Sequence, residues 1–337
     1  MRAVGYREAG GPEVLADVTI DEPVPGPGDL LVEVQAVSVN PVDTKIRVRQ
    51  SPPAGGVQIL GWDAVGTVRA VGSQVTTFEP GDRVWYAGAV TRQGCNSELH
   101  VVDERLVARA PGSLDDGDAA ALPLTTITAW ELLFDRFRVP RGGGEGRTLL
   151  VIGAAGGVGS ILVQLAAKLT GLTVIGTASR PETRDWVAAM GADHVVNHHE
   201  LAAGLAAAGF ESVDYIASLT QTTQHLPTYV DIVAPQGSIG VIDDLDSFDI
   251  MPFKSKSVSV HWESMFTRST FDTPDITAQH DLLTEVAALV DAGVLRTTRQ
   301  RSAGPINADN VRAAHEFQQS GTAIGKTVLV GWPAFEV

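Results

Sequence analysis

Between residues 151 and 159 the chain reads Val-Ile-Gly-Ala-Ala-Gly-Gly-Val-Gly, a glycine cluster between a short apolar run and a helical period. Such a turn aims backbone N–H groups and the positive end of a helix at a pyrophosphate. Ala155, Gly156, Gly157, Val158 and Gly159 are therefore candidate cofactor contacts. Gly156 lets a phosphate approach the backbone, and Gly159 lets the helix lie close to the strand. The first glycine of the usual pattern is replaced by Ala154, with Gly153 just before it. About 20 residues beyond such a turn, an NAD site carries an acid for the ribose 2′-hydroxyl. That place holds Ala178, Ser179 and Arg180, with no acid. Ser179 can donate to a 2′-phosphate and Arg180 can pair with it bidentately, so NADPH is the expected cofactor. Gly240, Val241 and Ile242 are expected to pass near the nicotinamide through backbone groups, because ligands of such sheets sit at strand carboxyl ends. His198, followed by His199 and Glu200, reads as part of a loop beside the adenine end.

The elements that must position these groups alternate. Residues 148–152 (TLLVI) form a short continuous apolar run, as in a strand buried on both faces. Val158, Leu162, Leu165 and Leu169 then recur at helical spacing. Strands are expected at 172–177, 194–197, 212–217, 238–242 and 257–262, with helices near 181–190, 200–208 and 221–233 between them. Strict alternation means right-handed crossovers and a parallel sheet covered on both faces. The first 125 residues read differently. Alternating runs at 30–37, 65–71, 82–86 and 97–102 are separated by Gly/Pro punctuation, which suggests a compact, partly open barrel. Beyond residue 265 come a helix at 281–290, a weaker one at 309–319 and a strand at 326–330. These are too few to form a domain, so they are expected to pack back onto the first segment. The predicted division is 1–124 with 265–337 for the β-rich domain and 125–264 for the dinucleotide-binding domain.

Asn-Pro-Val-Asp at 40–43, Gly-Trp-Asp-Ala-Val-Gly at 61–66, Gly-Asp-Arg-Val at 81–84, the glycine turn ending at 159 and Gly-Thr-Ala-Ile-Gly-Lys at 321–326 follow one another along the chain. In that order and spacing they resemble the medium-chain dehydrogenase/reductase superfamily, in its quinone oxidoreductase-like branch, and within it bacterial zinc-type alcohol dehydrogenase-like proteins. The resemblance covers essentially the whole chain. It implies an α/β fold in which a doubly wound Rossmann sheet is inserted into a GroES-like, β-rich, partly open barrel, with the active site in the cleft between them. It also implies a homodimer, with the strand at 257–262 as a pairing edge. By the same resemblance, the segment holding Asn40, Asp43 and Lys45 is a substrate loop. Asn40 would orient the acceptor oxygen or a ribose, Lys45 would stabilise charge or donate a proton, and Asp43 would hold the loop or pair with Lys45. Thr128 matches a position that contacts nicotinamide, and Lys326 would reach the pyrophosphate. Trp62, Trp85 and Tyr86 would wall an apolar pocket.

Zinc-dependent members hold their metal with a Cys in the segment matching 39–43, a His matching Trp62, and a Cys or acid just before the Rossmann domain. This chain offers Asn40, Trp62 and the run Leu-Pro-Leu-Thr-Thr at 122–126. Asp43 and Asp63 alone cannot supply the three protein ligands of a catalytic zinc, so no metal is expected. Hydride delivery to a quinone or an α,β-unsaturated carbonyl needs less help than oxidation of a simple alcohol, because the developing charge lies on an oxygen that ordinary donors stabilise. The expected activity is therefore NADPH-dependent, zinc-independent reduction of such acceptors. The rivals are an NADP-dependent alcohol dehydrogenase or carbonyl reductase with a metal, and a non-catalytic NADPH-binding sensor. A net charge of −15, from 25 basic and 40 acidic residues, argues against nucleic-acid or membrane-surface partners. A single cysteine, Cys95, rules out an intrachain disulfide. No apolar run of membrane-spanning length and no signal-peptide pattern is present, so a cytoplasmic location is expected.

Overall fold

The computed structural model of the chain describes residues 1–333; residues 334–337, the end of the expected 265–337 segment, lie outside the described residues. Two compact units emerge, Met1–Ile127 with Phe266–Val337, and Thr128–Met265.

The split unit is built on the strand Asp29–Ser38, whose side chains are largely buried. It pairs antiparallel with Ala64–Val71, Leu99–Asp103 and Lys326–Val330. Register shifts against Ala64–Val71 fall after Leu31 and Val34. Such irregularities bend a strand and increase its twist, which lets one strand serve several partners. Arg299–Ser302 extends the sheet at one end, and Arg83–Tyr86 and Val107–Arg109 at the other. A second sheet sets Arg2–Tyr6 between Ala16–Thr19 and Gln58–Ile59. Residues 23–28, with proline at 23, 25 and 27, join no sheet, as the missing N–H donors require. Register decides what meets at one end of the large sheet. Val328 lies opposite Ser38, and Ala64 lies opposite Val37. Lys326, Asn40 and Asp63 are thereby brought to neighbouring strand ends.

The segment holding Asn40, Asp43 and Lys45, expected as a loop, is instead the cap and first turns of a helix, Pro41–Arg49. Pro41 suits its first turn, and Asp43 accepts from the Asn40 backbone N–H at 2.6 Å, closing the N-terminus as the third residue of a capping box does. The helices of the returning segment run Ala278–Asp291 and Ala308–Gln319.

The continuous unit is a six-stranded, all-parallel sheet in the order His194–Val196, Thr173–Thr177, Thr148–Ile152, Val213–Ser218, Val233–Val241 and Ser259–Trp262. Thr148–Ile152 is buried throughout, as its unbroken apolar composition requires. Leu150, Ile152, Ile216, Ile239 and Val241 join one apolar core. The strand expected at 238–242 starts earlier, at Val233. Pro235, Gln236 at φ 63° and Gly237 interrupt it, and the register shifts there, which hid its beginning in the pattern. Successive strands leave Thr148–Ile152 in opposite directions, so the order reverses beside it. The crevice at its carboxyl end is where an open parallel sheet receives ligands.

Candidate active site

The glycine turn occupies that carboxyl end. The helix Gly157–Leu169 begins directly after it, with Gly156 extended at the cap position and no side chain closing the terminus. The first N–H groups of a helix have no intrahelical acceptor. A Cβ on Gly156 would meet only the Gly153 carbonyl, at 3.4 Å, so its open side is space a phosphate can enter. Gly159 is used differently: a Cβ there would collide with the Gly153 carbonyl and come within 2.6 Å of the Ala154 Cα. Gly153 has φ 76° and donates its N–H to Thr177 Oγ1 at 3.1 Å, tying the turn to the next strand. The backbone cradle fits a dinucleotide pyrophosphate.

Ser179 is exposed and follows the strand Thr173–Thr177; Arg180 caps the helix Pro181–Ala189 and pairs with Glu182 at 3.1 Å. His198 lies on a single 3-10 turn after His194–Val196. The groups named at 240–242 are partly committed to the sheet. Val241 accepts from the Glu263 N–H at 2.9 Å, and Ile242 donates to Ser218 at 3.4 Å. A Cβ on Gly240 would collide with Leu132 and reach Phe137 at 2.9 Å, so this glycine admits a helix against the strand. Thr128 is buried.

Within the split unit, Asn40 and Asp43 belong to a buried polar knot. Asp63 Oδ2 accepts from Ser38 Oγ at 2.7 Å, Asn40 Nδ2 at 2.9 Å and Lys326 Nζ at 3.0 Å, while Oδ1 accepts from the Leu124 N–H at 2.7 Å. Lys326 also donates to the Val39 carbonyl at 2.9 Å and to Asn40 Oδ1. Three acceptors match the three donors of an ammonium. The expectation that Lys326 reaches a pyrophosphate is therefore corrected: its charge is held inside this unit, 3% exposed, by the register that sets it beside Asp63. Asp43 accepts from the Asn40 and Gly61 N–H groups at 2.6 and 2.9 Å. Burial raises its pKa to about 7 against those bonds and the nearby Lys326. Lys45, two residues on in the same helix, is half-buried.

Trp62, Trp85 and Tyr86, expected as pocket walls, are core residues exposed by 1% or less. Trp62 donates to the Ala89 carbonyl at 3.2 Å and meets Phe266 edge-on. Tyr86 stacks on His100 and bonds to it at 3.0 Å, and burial lowers the His100 pKa to about 4. The strand Arg83–Tyr86 is buried from Val84 onward, so both rings are packed inside the unit although neighbouring side chains leave a strand on opposite faces.

A zinc ion does not fit the residues of the split unit. Asn40 spends its amide on Asp63 and Lys326, Trp62 has no ligating atom, and Thr125 Oγ1 donates to the Leu122 carbonyl. The Cys95 thiol is buried and pushed far up by that burial. Among the described residues no three His, Cys, Asp or Glu side chains are arranged to hold a metal ion.

Two polar clusters of the continuous unit escaped sequence reasoning. Glu131 and Glu263 are both buried and hydrogen-bonded to each other, with Arg136 at 2.8 Å from Glu263 and 3.8 Å from Glu131. Burial first, and then the Glu131 charge, hold the Glu263 carboxyl far above its ordinary value, so the pair keeps a proton. Glu131–Arg136 is a turn of π-helix, a distortion common at functional sites. Glu263 directly follows the last strand, a placement that was the available signal. The second cluster links Asp243 to Thr222, Thr222 to Ser218 and Ser218 to Tyr229 in one hydrogen-bonded chain.

Residues 26–117 match the alcohol dehydrogenase GroES-like domain and residues 190–329 the zinc-binding dehydrogenase family. A zinc-type alcohol dehydrogenase-like protein of Staphylococcus epidermidis is 39% identical over 98% of this chain and 99% of its own. This chain belongs to the medium-chain dehydrogenase/reductase superfamily. It is an oxidoreductase of the quinone oxidoreductase-like branch, with a GroES-like unit and a Rossmann unit. A Rhizobium etli structure described as a zinc-dependent alcohol dehydrogenase superposes with a TM-score of 0.94 at 50% identity, covering 99% of this chain and 98% of that one. The quinone oxidoreductase of Escherichia coli complexed with NADPH superposes at 0.82 and 25% identity, covering 98% and 100%. Among the described residues no helix is long and apolar enough to cross a membrane.

Proposed function

We propose that this oxidoreductase transfers hydride from NADPH to a quinone or an α,β-unsaturated carbonyl without a metal ion. The observation that carries the reading is the donor set of the GroES-like unit. Its polar side chains at 40 and 63 are satisfied by one another and by Lys326, and Trp62 stands where zinc-dependent relatives need a ligand. An acceptor that is already electron-poor asks only for hydrogen-bond donors where charge develops. NADPH, when bound, supplies the hydride. Gly156 and the N–H groups opening the helix Gly157–Leu169 hold the pyrophosphate, and Ser179 with Arg180 holds the 2′-phosphate. His198 flanks the adenine, and Thr128 with the backbone of 240–242 orients the nicotinamide. Lys45 stabilises the acceptor's developing charge, while Asn40 and Asp43 are positioning residues that hold its helix. The protein acts as a cytoplasmic homodimer on a small electrophile. Its pairing edge is Ser259–Trp262, where Trp262 is 56% exposed at the rim of the sheet.

The test is NADPH consumption with quinones, enones, simple aldehydes and alcohols, each run with and without chelator. Quinones or enones are expected to turn over equally in both conditions. A rate lost on chelation and restored by zinc overturns the reading. Lys45→Ala is expected to lower kcat by on the order of 10²-fold with the NADPH KM unchanged. Full activity of that variant removes Lys45 from the mechanism.

A further inference from the structure

Three histidines gather at the strand ends that carry Ser179 and Arg180. The Ala178 N–H donates to the Val196 carbonyl at 2.9 Å, so the two strands end side by side, one leading into Ser179 and Arg180 and the other into Asn197 and His198. The Asn197 side chain accepts from the His199 N–H at 3.1 Å and fixes the turn holding both imidazoles. The His198 ring lies 4.1 Å from His199 and 6.2 Å from His225, centroid to centroid. His225 is buried on the helix Thr222–Ile232 and stacks on Tyr229. That helix starts beside the cradle, because a Cβ on Gly153 would reach the Thr220 methyl at 2.9 Å.

The charged groups around the cluster are Arg180 with its partner Glu182, Arg184, Glu200 and Asp243. Arg184 donates to the Ala178 and Val195 carbonyls, Glu200 ends the histidine turn, and Asp243 accepts from Thr222 at the head of the His225 helix. Burial lowers the His198 pKa, and His199 and His225 lower it further; burial and then His199 lower that of His225. The His198 and His225 rings are therefore biased toward their neutral forms, and an added proton is favoured there only when an anion faces it.

We propose that His198, His199 and His225 form a proton-loaded clamp for the 2′-phosphate, so that NADPH binding draws a proton onto the cluster and the preference for NADPH over NADH strengthens as the pH falls from 7.5 to 6.5. The proposal rests on the reading that Ser179 and Arg180 receive that phosphate. Linkage sets the scale: each whole proton taken up with NADPH alone raises the affinity ratio by up to about ten-fold per pH unit. The sign is diagnostic. A phosphate monoester has its second pKa near 6, so binding it as the dianion would by itself release protons.

Calorimetry at pH 6.5, in two buffers of different ionisation enthalpy, measures the protons exchanged when NADPH or NADH binds the full chain. Net uptake with NADPH, absent with NADH, is the expected result, and His198→Gln reduces the uptake and flattens the pH dependence of the affinity ratio. Release of protons with NADPH, or equal exchange with both cofactors, overturns the clamp, as does undiminished uptake in His198→Gln. The wild-type comparison of NADPH with NADH decides the matter even if a variant at the buried His225 fails to fold. Equal affinity for both cofactors across the whole pH range overturns the 2′-phosphate reading itself, and the clamp falls with it. Clear NADPH preference without proton uptake overturns the clamp alone.

Discussion

In the GroES-like unit Asn40, Asp43, Asp63 and Lys326 spend their polar atoms on one another, whereas in the Rossmann unit the open helix start at Gly157 and the side chain of Ser179 end at the surface of a crevice. A charge inside the first unit is matched by partners from distant strands and is costly to disturb. Backbone N–H groups at the second unit's glycine turn carry the positive end of a helix and remain available to an anion. The family's motif residues thus divide into those that hold a shape and those that face a ligand. Glu131 and Glu263 belong to the first kind although they sit in the Rossmann unit, since they share a buried proton under Arg136.

The contrast is broken most directly at Lys326. Lys326→Met leaves the Asp63 carboxylate buried without its counter-ion and is expected to cost about 3–5 kcal/mol in urea unfolding. A loss within about 0.5 kcal/mol of zero, the range of an ordinary surface change, would show that the knot does not hold the unit together. Next comes Gly159→Ala, where the new methyl meets the Gly153 carbonyl and the Ala154 backbone. The expected cost is about 1–3 kcal/mol of stability with loss of cofactor-induced thermal stabilisation. Retained stabilisation by NADPH would separate the helix approach from the cradle.

Arg180→Glu sharpens the other side of the comparison. It is expected to raise the KM for NADPH at least about ten-fold, roughly 1.4 kcal/mol, with little change for NADH. Equal effects on both cofactors would remove Arg180 from 2′-phosphate recognition. The most gradual effect, spread over about three pH units, concerns Asp43. Its folded pKa of about 7 lies above the ordinary carboxylate value, so the folded state binds more protons across roughly pH 4 to 7. The Asp43 contribution to stability is therefore full below pH 4 and is lost as the pH rises through 7, by at most about 1.4 kcal/mol per pH unit. Urea midpoints for Asp43→Asn should fall less steeply over that window than those of the wild type, and parallel curves would contradict the assignment.

The glycine turn was legible because every part of it is local: an apolar strand, a turn only glycine can make so tightly, and a helix, all within about 20 residues. The alternation of strand and helix from 148 to 262 was legible for the same reason, except where Pro235 and Gly237 broke the pattern of a strand that continues through them. The resemblance implies a loop around Asn40, Asp43 and Lys45, and PVDTKIRVR carries almost no apolar periodicity to announce the helix that forms there; proline and Asp43 start it, and burial of Ile46 and Arg47 holds it. Trp62, Trp85 and Tyr86 show a further limit. Large aromatics beside motif residues look the same in sequence whether they line a pocket or fill a core, and only their near-zero exposure separates the two.

Residue types and near-neighbour spacing were enough to establish an α/β dinucleotide-binding unit within a β-rich one, because hydrophobic period and turn chemistry act over a few residues. Strand register decided that Lys326 turns inward to Asp63 and Asn40, 286 residues from the latter, and the packing of a π-helical turn at the end of the last parallel strand decided that Glu263 meets Glu131. Coulomb energy and desolvation depend on which groups become neighbours in space, and the order of residues along the chain does not contain that distance.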